Sequence, residues 1–212
     1  SSPPPQTPPP KLPAPAPPTS PPAAPSSPPP PLPASPQSVA ASINSRFARG
    51  SPSSDTLAGA GVVVHMIDGY ENATAPWDLD TFQGVRVDHL SASVVNSQKP
   101  FLYPRQREGF IISPSVPFLC AYESDATSGV DPLGNCGGGW WRPSMLREVL
   151  QRQPTESFNE IIFSRADWQR IGPEHAIDAF VYCGADGSAA RRIWWAFRRA
   201  FPAARVPLLR VR

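Results

Sequence analysis

The residues best placed to do chemistry fall into three groups. The first lies near the C-terminus, where Arg191, Arg192, Trp195, Arg198 and Arg199 share one helical stretch. At about 100° per residue the four arginines fall on one side with Trp195 near their centre, and Ala190, Ile193, Trp194, Phe197 and Phe201 form the opposite stripe. No acidic residue occurs from Arg191 to Arg212. Guanidinium groups around an exposed indole suit a polyanion: a sulfated or uronic polysaccharide, a nucleic acid or an anionic surface. The plain alternative is a solvated basic face with Trp195 packed on another element. The second group centres on Glu160 in Phe158-Asn159-Glu160-Ile161-Ile162-Phe163. Period-two alternation puts this carboxylate with Phe158 and Ile162, and a carboxylate on an apolar face must be paired, protonated or functional. A structural ion pair, for which Arg165 is the candidate partner, is the plainer explanation. The third group holds the residue types of a hydrolase triad: His65 or His89, Asp68 or Asp88, and Ser91. No GxSxG elbow supports it, because the serines lie on a predicted strand. Gly137-Gly138-Gly139-Trp140-Trp141 offers a loop for a phosphate or a sugar ring, but it lacks a GxGxxG pattern and a Walker lysine. Packing under the next helix is the commoner fate of such a tryptophan pair.

Asn159-Glu160-Ile161-Ile162 on a strand is similar to the catalytic-glutamate strand of ADP-ribosyltransferases. In that family a Ser-Thr-Ser strand precedes the glutamate, and Ser91-Ala92-Ser93 stands in that place. The family also uses an arginine or histidine on its first strand, for which His65 is the candidate here. A histidine combined with a serine strand departs from both subclasses. The resemblance implies a transferase that uses NAD, with Glu160, His65, Ser91 and Ser93 at the site. Without it, no cofactor is expected.

These residues need elements to position them. A helix is expected over Ser38–Phe47, where Val39, Ile43 and Phe47 form one stripe, and a buried strand over Gly61–Ile67. Val85–Val95 reads as a second strand broken near Asp88. Gly109–Ile112 and Pro117–Tyr122 read as a hairpin around Ser113-Pro114-Ser115. Pro143 in the first turn opens a helix through about Gln151. Strand Phe158–Phe163, a helical turn Ala166–Ile171, strand Ala176–Tyr182, helix Ser188–Phe201 and strand Val206–Val211 complete the chain. The expected fold is mixed α/β, with α+β as the alternative, and has a central sheet covered by helices.

Of the 31 prolines, 19 lie in residues 1–36, where Lys11 is the only charge and aromatic residues are absent. Proline fixes φ and lacks an N–H, so residues 1–37 are expected to be a disordered polyproline II stalk about 100 Å long at ~3.1 Å per residue. A single folded domain is expected over 38–212. Leu12-Pro13-Ala14-Pro15 and Leu32-Pro33-Ala34-Ser35-Pro36 are candidate ligands for SH3-type modules in an intracellular adaptor. A first residue of Ser1 is expected of a mature or truncated chain. The net charge of +2 asks for no acidic partner by bulk. No run approaches the ~18 apolar residues of a membrane span. Three cysteines, Cys120, Cys136 and Cys183, are too few for a disulfide scaffold, and an odd count leaves one unpaired or bonded to another chain. Cys136 sits in a glycine-rich loop that a disulfide could close, whereas Cys120 and Cys183 end apolar runs and are expected to be buried. No Cys/His cluster suggests a metal site.

The alternation of proline runs with Ser, Ala and Thr resembles the hydroxyproline-rich extracellular glycoproteins of green algae, and Asn72-Ala73-Thr74 is an N-glycosylation sequon. The globular part resembles a group of algal proteins through Gly61-Val62-Val63-Val64-His65, Leu90-Ser91-Ala92-Ser93-Val94-Val95-Asn96, Phe158-Asn159-Glu160-Ile161-Ile162 and Val206-Pro207-Leu208-Leu209-Arg210. That resemblance implies no activity. Pherophorins share the organisation, but their domains are cysteine-rich and this one is not. The expected setting is extracellular or cell-wall, with a glycoprotein whose domain binds an acidic glycan through the arginine face. A nucleic acid is the less expected partner. An NAD-using enzyme is the competing function.

Overall fold

The computed structural model describes residues 35–67, 74–82, 86–100, 108–124, 136–137, 139–154 and 157–211. By its contacts the chain divides after Leu32. Residues 1–34 of the expected stalk, with the Leu12–Pro15 motif, and Asp68, Asn72 and Arg212 lie outside the described residues, whereas Pro36 and Gln37, expected to end the stalk, are helical. Helix α1 is Pro36–Ala48, starting two residues earlier than Ser38. The Ser35 side chain accepts a hydrogen bond from the Ser38 N–H, and Pro36 occupies the first turn, where its missing N–H is no loss. Ser35 and Pro36, read in sequence as the end of a proline motif, therefore open a helix.

The expected mixed α/β fold is the one observed. Seven strands form one sheet: β1 (Val62–Met66), β2 (His89–Val95), β3 (Glu108–Ile112), β4 (Cys120–Tyr122), β5 (Glu160–Ser164), β6 (Ile177–Cys183) and β7 (Leu208–Val211). Their order is β4-β5-β2-β1-β3-β6-β7, antiparallel throughout except for the parallel β6–β7 pair. The expected β3–β4 hairpin does not form. β3 is flanked on both edges by β1 and β6, so no edge remains for β4, which pairs with β5 instead. Buried Gly109, Phe110, Ile111 and Ile112 make β3 a continuous apolar run, as an interior strand requires.

Helices α2 (Leu57–Ala60), α3 (Leu146–Arg152), α4 (Arg165–Ile171), α5 (Pro173–Ala176) and α6 (Ser188–Ala200) complete the fold. The four-residue α2 was not legible in sequence. One face of the sheet carries the larger core, where Val63, Phe110, Ile161, Phe163 and Phe180 meet Leu146, Trp168 and Phe197 of α3, α4 and α6. The opposite face carries a smaller cluster in which Ile43 of α1 covers Val62, Val64, Ile111 and Val181. Arg46 of α1 is buried and donates to Asp178 of β6 at 3.0 Å. Burial pushes the Asp178 carboxyl up from its ordinary range, and the Arg46 charge and hydrogen bond oppose that rise.

Cys120 and Cys136 form a disulfide, leaving half-buried Cys183 as the free thiol. The bridge ties Cys136 to β4, and the ring of Trp140 lies 5.5 Å from that of Tyr122. It spans a sequence separation of 16. Reduction or Cys136→Ser is expected to cost about 3 kcal/mol, the chain-entropy value for such a loop. A fall in the urea midpoint measures this, and an unchanged midpoint contradicts it.

Candidate functional site

The β1–β2 ladder consists of three residue pairs, Val62–Val64 against Ser93–Val95. Beyond it β1 continues on β3, with His65 opposite Phe110, while β2 continues on β5, with Ser91 opposite Ile162. The strands part, and the Ser91 carbonyl faces the side that β1 has left. His65 fills that position: its Nδ1 lies 2.6 Å from the Ser91 carbonyl oxygen. A carbonyl only accepts, so Nδ1 carries the proton. The imidazole is buried, with ring centroids 4.9 Å from Phe110 and 6.5 Å from Phe82.

On the other side of β2, the Ser91 hydroxyl donates to Glu160 Oε1 at 2.7 Å. Glu160 is the first residue of β5, half-buried, and stands opposite Tyr122 of β4. Three residues singled out in sequence, His65, Ser91 and Glu160, are thus joined from three adjacent strands. Ser93 is not part of this chain, because its hydroxyl donates to the Asn159 carbonyl at 2.7 Å. The expected ion pair between Glu160 and Arg165 is absent. Arg165 opens α4, where it is buried and paired with Asp80. Nor is a hydrolase triad assembled from Ser91, whose hydroxyl meets a carboxylate while the histidine meets its carbonyl.

Sequence reasoning missed Asn159, which holds this corner together. Its side chain accepts from the Val94 N–H at 2.8 Å and donates to the Val94 carbonyl at 2.8 Å. The amide group thereby extends the β2–β5 ladder in place of a backbone unit. Nδ2 also donates to Gln153 Oε1 at 2.9 Å, and Asn159 is wholly buried. The one available signal was an amide within an apolar strand sequence.

The arginine face of α6 is exposed at Arg191, Arg192, Arg198 and Arg199, and Trp195 is 50% exposed. Arg199 also reaches an open cleft of about 700 Å³ between α4, α6 and residues 74–80, together with Trp77, Asp78, Asp80, Gln169 and Phe201. Trp141 lies partly buried against the larger core, with its indole N–H donating to Glu123 at 3.0 Å. Among the described residues no cluster of His, Cys, Asp or Glu could hold a metal ion, and no helix is long and apolar enough to cross a membrane. No protein-family model matches the chain, and no curated protein matches it in sequence.

Two predictions concern this corner. Replacing Asn159 by Ala removes the partner of two buried backbone groups and is expected to cost on the order of 3 kcal/mol, read from urea unfolding. A loss below about 1 kcal/mol is the contrary result. His89 stands two residues from Ser91 on the same face of β2. Burial lowers its pKa from the ordinary 6.5, with the Asp88 charge acting in the opposite sense. The unfolded chain therefore takes up this proton first as pH falls, so the stability from a neutral His89 is present above pH 6.5 and lost below it. His89→Gln is expected to flatten the decline of the urea midpoint on the acid side, and equal declines in both proteins contradict this.

Proposed function

We propose that the domain is a transferase that uses NAD and acts at Glu160. The observation that supports it is the hydrogen-bonded chain from His65 through Ser91 to Glu160, at 2.6 and 2.7 Å. Those are the first-strand, serine-strand and glutamate-strand positions named by the resemblance to ADP-ribosyltransferases. In the reaction the bond between the ribose C1′ and the nicotinamide nitrogen breaks, and its electron pair leaves with the nicotinamide. A bond from C1′ to the acceptor nucleophile forms, and the acceptor's proton passes to Glu160 or to water. Positive charge builds on the ribose as the first bond weakens. A carboxylate held in advance of that charge stabilises it without reorganising. Ser91 orients the carboxylate, and His65 holds the backbone that carries Ser91.

The setting we infer is outside the cell or in the cell wall. The Cys120–Cys136 disulfide supports an oxidising compartment, in keeping with the proline-rich segment and the Asn72 sequon.

The test is NAD itself. Millimolar NAD is expected to raise Tm by binding the folded state, and nicotinamide is expected to be released. Glu160→Gln is expected to lower that release at least ~100-fold while the protein stays folded. Neither a thermal shift nor nicotinamide release from the wild type, or full activity in Glu160→Gln, overturns the proposal.

A further inference from the structure

Helix α6 has two unlike sides. Ala190 is buried, Ile193 and Phe197 pack in the larger core, and the Trp194 indole N–H donates to the Val206 carbonyl at 2.8 Å, so the helix is pinned along its apolar side. The outer side carries Arg191 and Arg192, then Arg198 and Arg199 seven residues later, with Trp195 between the pairs. Seven residues are two turns, about 10.5 Å along the axis. Among the described residues none of these four arginines forms an ion pair with a carboxylate. An acidic group that does act on them is the exposed Asp186, just before the helix, near Arg191 and Arg192. The Arg198 guanidinium lies over the rings of both Trp194 and Trp195, at 5.0 and 5.2 Å.

We infer that this face is a docking surface for a linear acidic polysaccharide, sulfated or uronic. Two guanidinium pairs in line, without carboxylate partners, match a chain that repeats its negative charge along one direction. Each planar guanidinium suits the two oxygens of a sulfate or carboxylate. Trp195, anchored by Arg198, sets a ring between the charged pairs where a sugar face can lie. An anionic membrane is the poorer occupant, because the apolar stripe it would absorb is already packed on the sheet. A nucleic acid fits the charge, but the Cys120–Cys136 disulfide favours a compartment in which acidic polysaccharides are the abundant polyanions. The inference is independent of the transferase reading, since it uses none of His65, Ser91 or Glu160.

The experiment is titration of the full chain with heparin, polygalacturonate, a single-stranded DNA of matched charge, and phosphatidylserine-containing vesicles, each at several salt concentrations. One of the two polysaccharides is expected to bind most tightly. Arg191→Ala with Arg192→Ala is expected to weaken that binding about tenfold and to reduce the salt slope by about two, one for each guanidinium removed. Trp195→Ala is expected to weaken binding several-fold with the salt slope unchanged. These side chains are exposed, so Tm and circular dichroism are expected to match the wild type, as is the response to NAD. Wild-type affinity in folded variants overturns the inference, as do tighter binding to DNA than to either polysaccharide and binding to vesicles alone. Absence of an NAD response in the wild type bears on the transferase reading only.

Discussion

Seven strands are held as one sheet through a ladder of three residue pairs, Val62–Val64 against Ser93–Val95. On one side lie β2, β5 and β4, and on the other β1, β3, β6 and β7. Gly61 makes the junction possible. Its φ is +151°, and a Cβ there would meet the Val95 carbonyl oxygen at 2.5 Å, so a side chain is excluded where the two strands first meet. Gly109 excludes a side chain in the same way from the β1–β3 ladder, where a Cβ would stand 2.3 Å from the His65 carbonyl oxygen. Past the ladder each strand follows its other neighbour, and the backbone groups facing the gap need partners from side chains.

That need explains His65, and a matching need at the end of the β2–β5 ladder explains Asn159. His65 serves the Ser91 carbonyl, and Asn159 serves both backbone groups of Val94. Neither residue packs as well as an aliphatic one would, but each replaces a missing ladder bond in surroundings where an unmade hydrogen bond costs about 1–3 kcal/mol. Glu160 follows Asn159 directly and so inherits a fixed backbone position. The carboxylate is then oriented by Ser91, whose own main chain is held by His65 on one side and β5 on the other.

The two faces of the sheet leave different surfaces to the solvent. Helices α3, α4 and α6 cover the larger core, and α6 turns its arginines outward as a consequence of burying Ile193 and Phe197. On the opposite face α1 covers β1, β3 and β6, with Arg46 bonded to Asp178. The part of that face over β2, β5 and β4 carries Ser91, Ser93, Glu160 and Tyr122, beside the segment that the disulfide draws in. The candidate catalytic corner and the arginine face therefore belong to different elements, and each can be altered without the other.

The sequence by itself determined most of the elements and the faces of the longer ones, though not the four-residue α2. A continuous apolar run of Val62, Val63 and Val64 marked β1, an apolar stretch from Phe158 to Phe163 marked β5, and the period of α6 separated Ile193 and Phe197 from the arginines, because local pattern is a property of consecutive residues. It also named His65, Ser91 and Glu160 as candidates. Only the tertiary structure decided that Ser91 meets both His65 and Glu160, that Ser93 turns to Asn159, that Arg165 pairs with Asp80, and that β4 joins β5 and not β3. Each of those outcomes depends on which strand lies beside which. Strand order is set by the joint burial of residues far apart in the chain, and no local pattern encodes it.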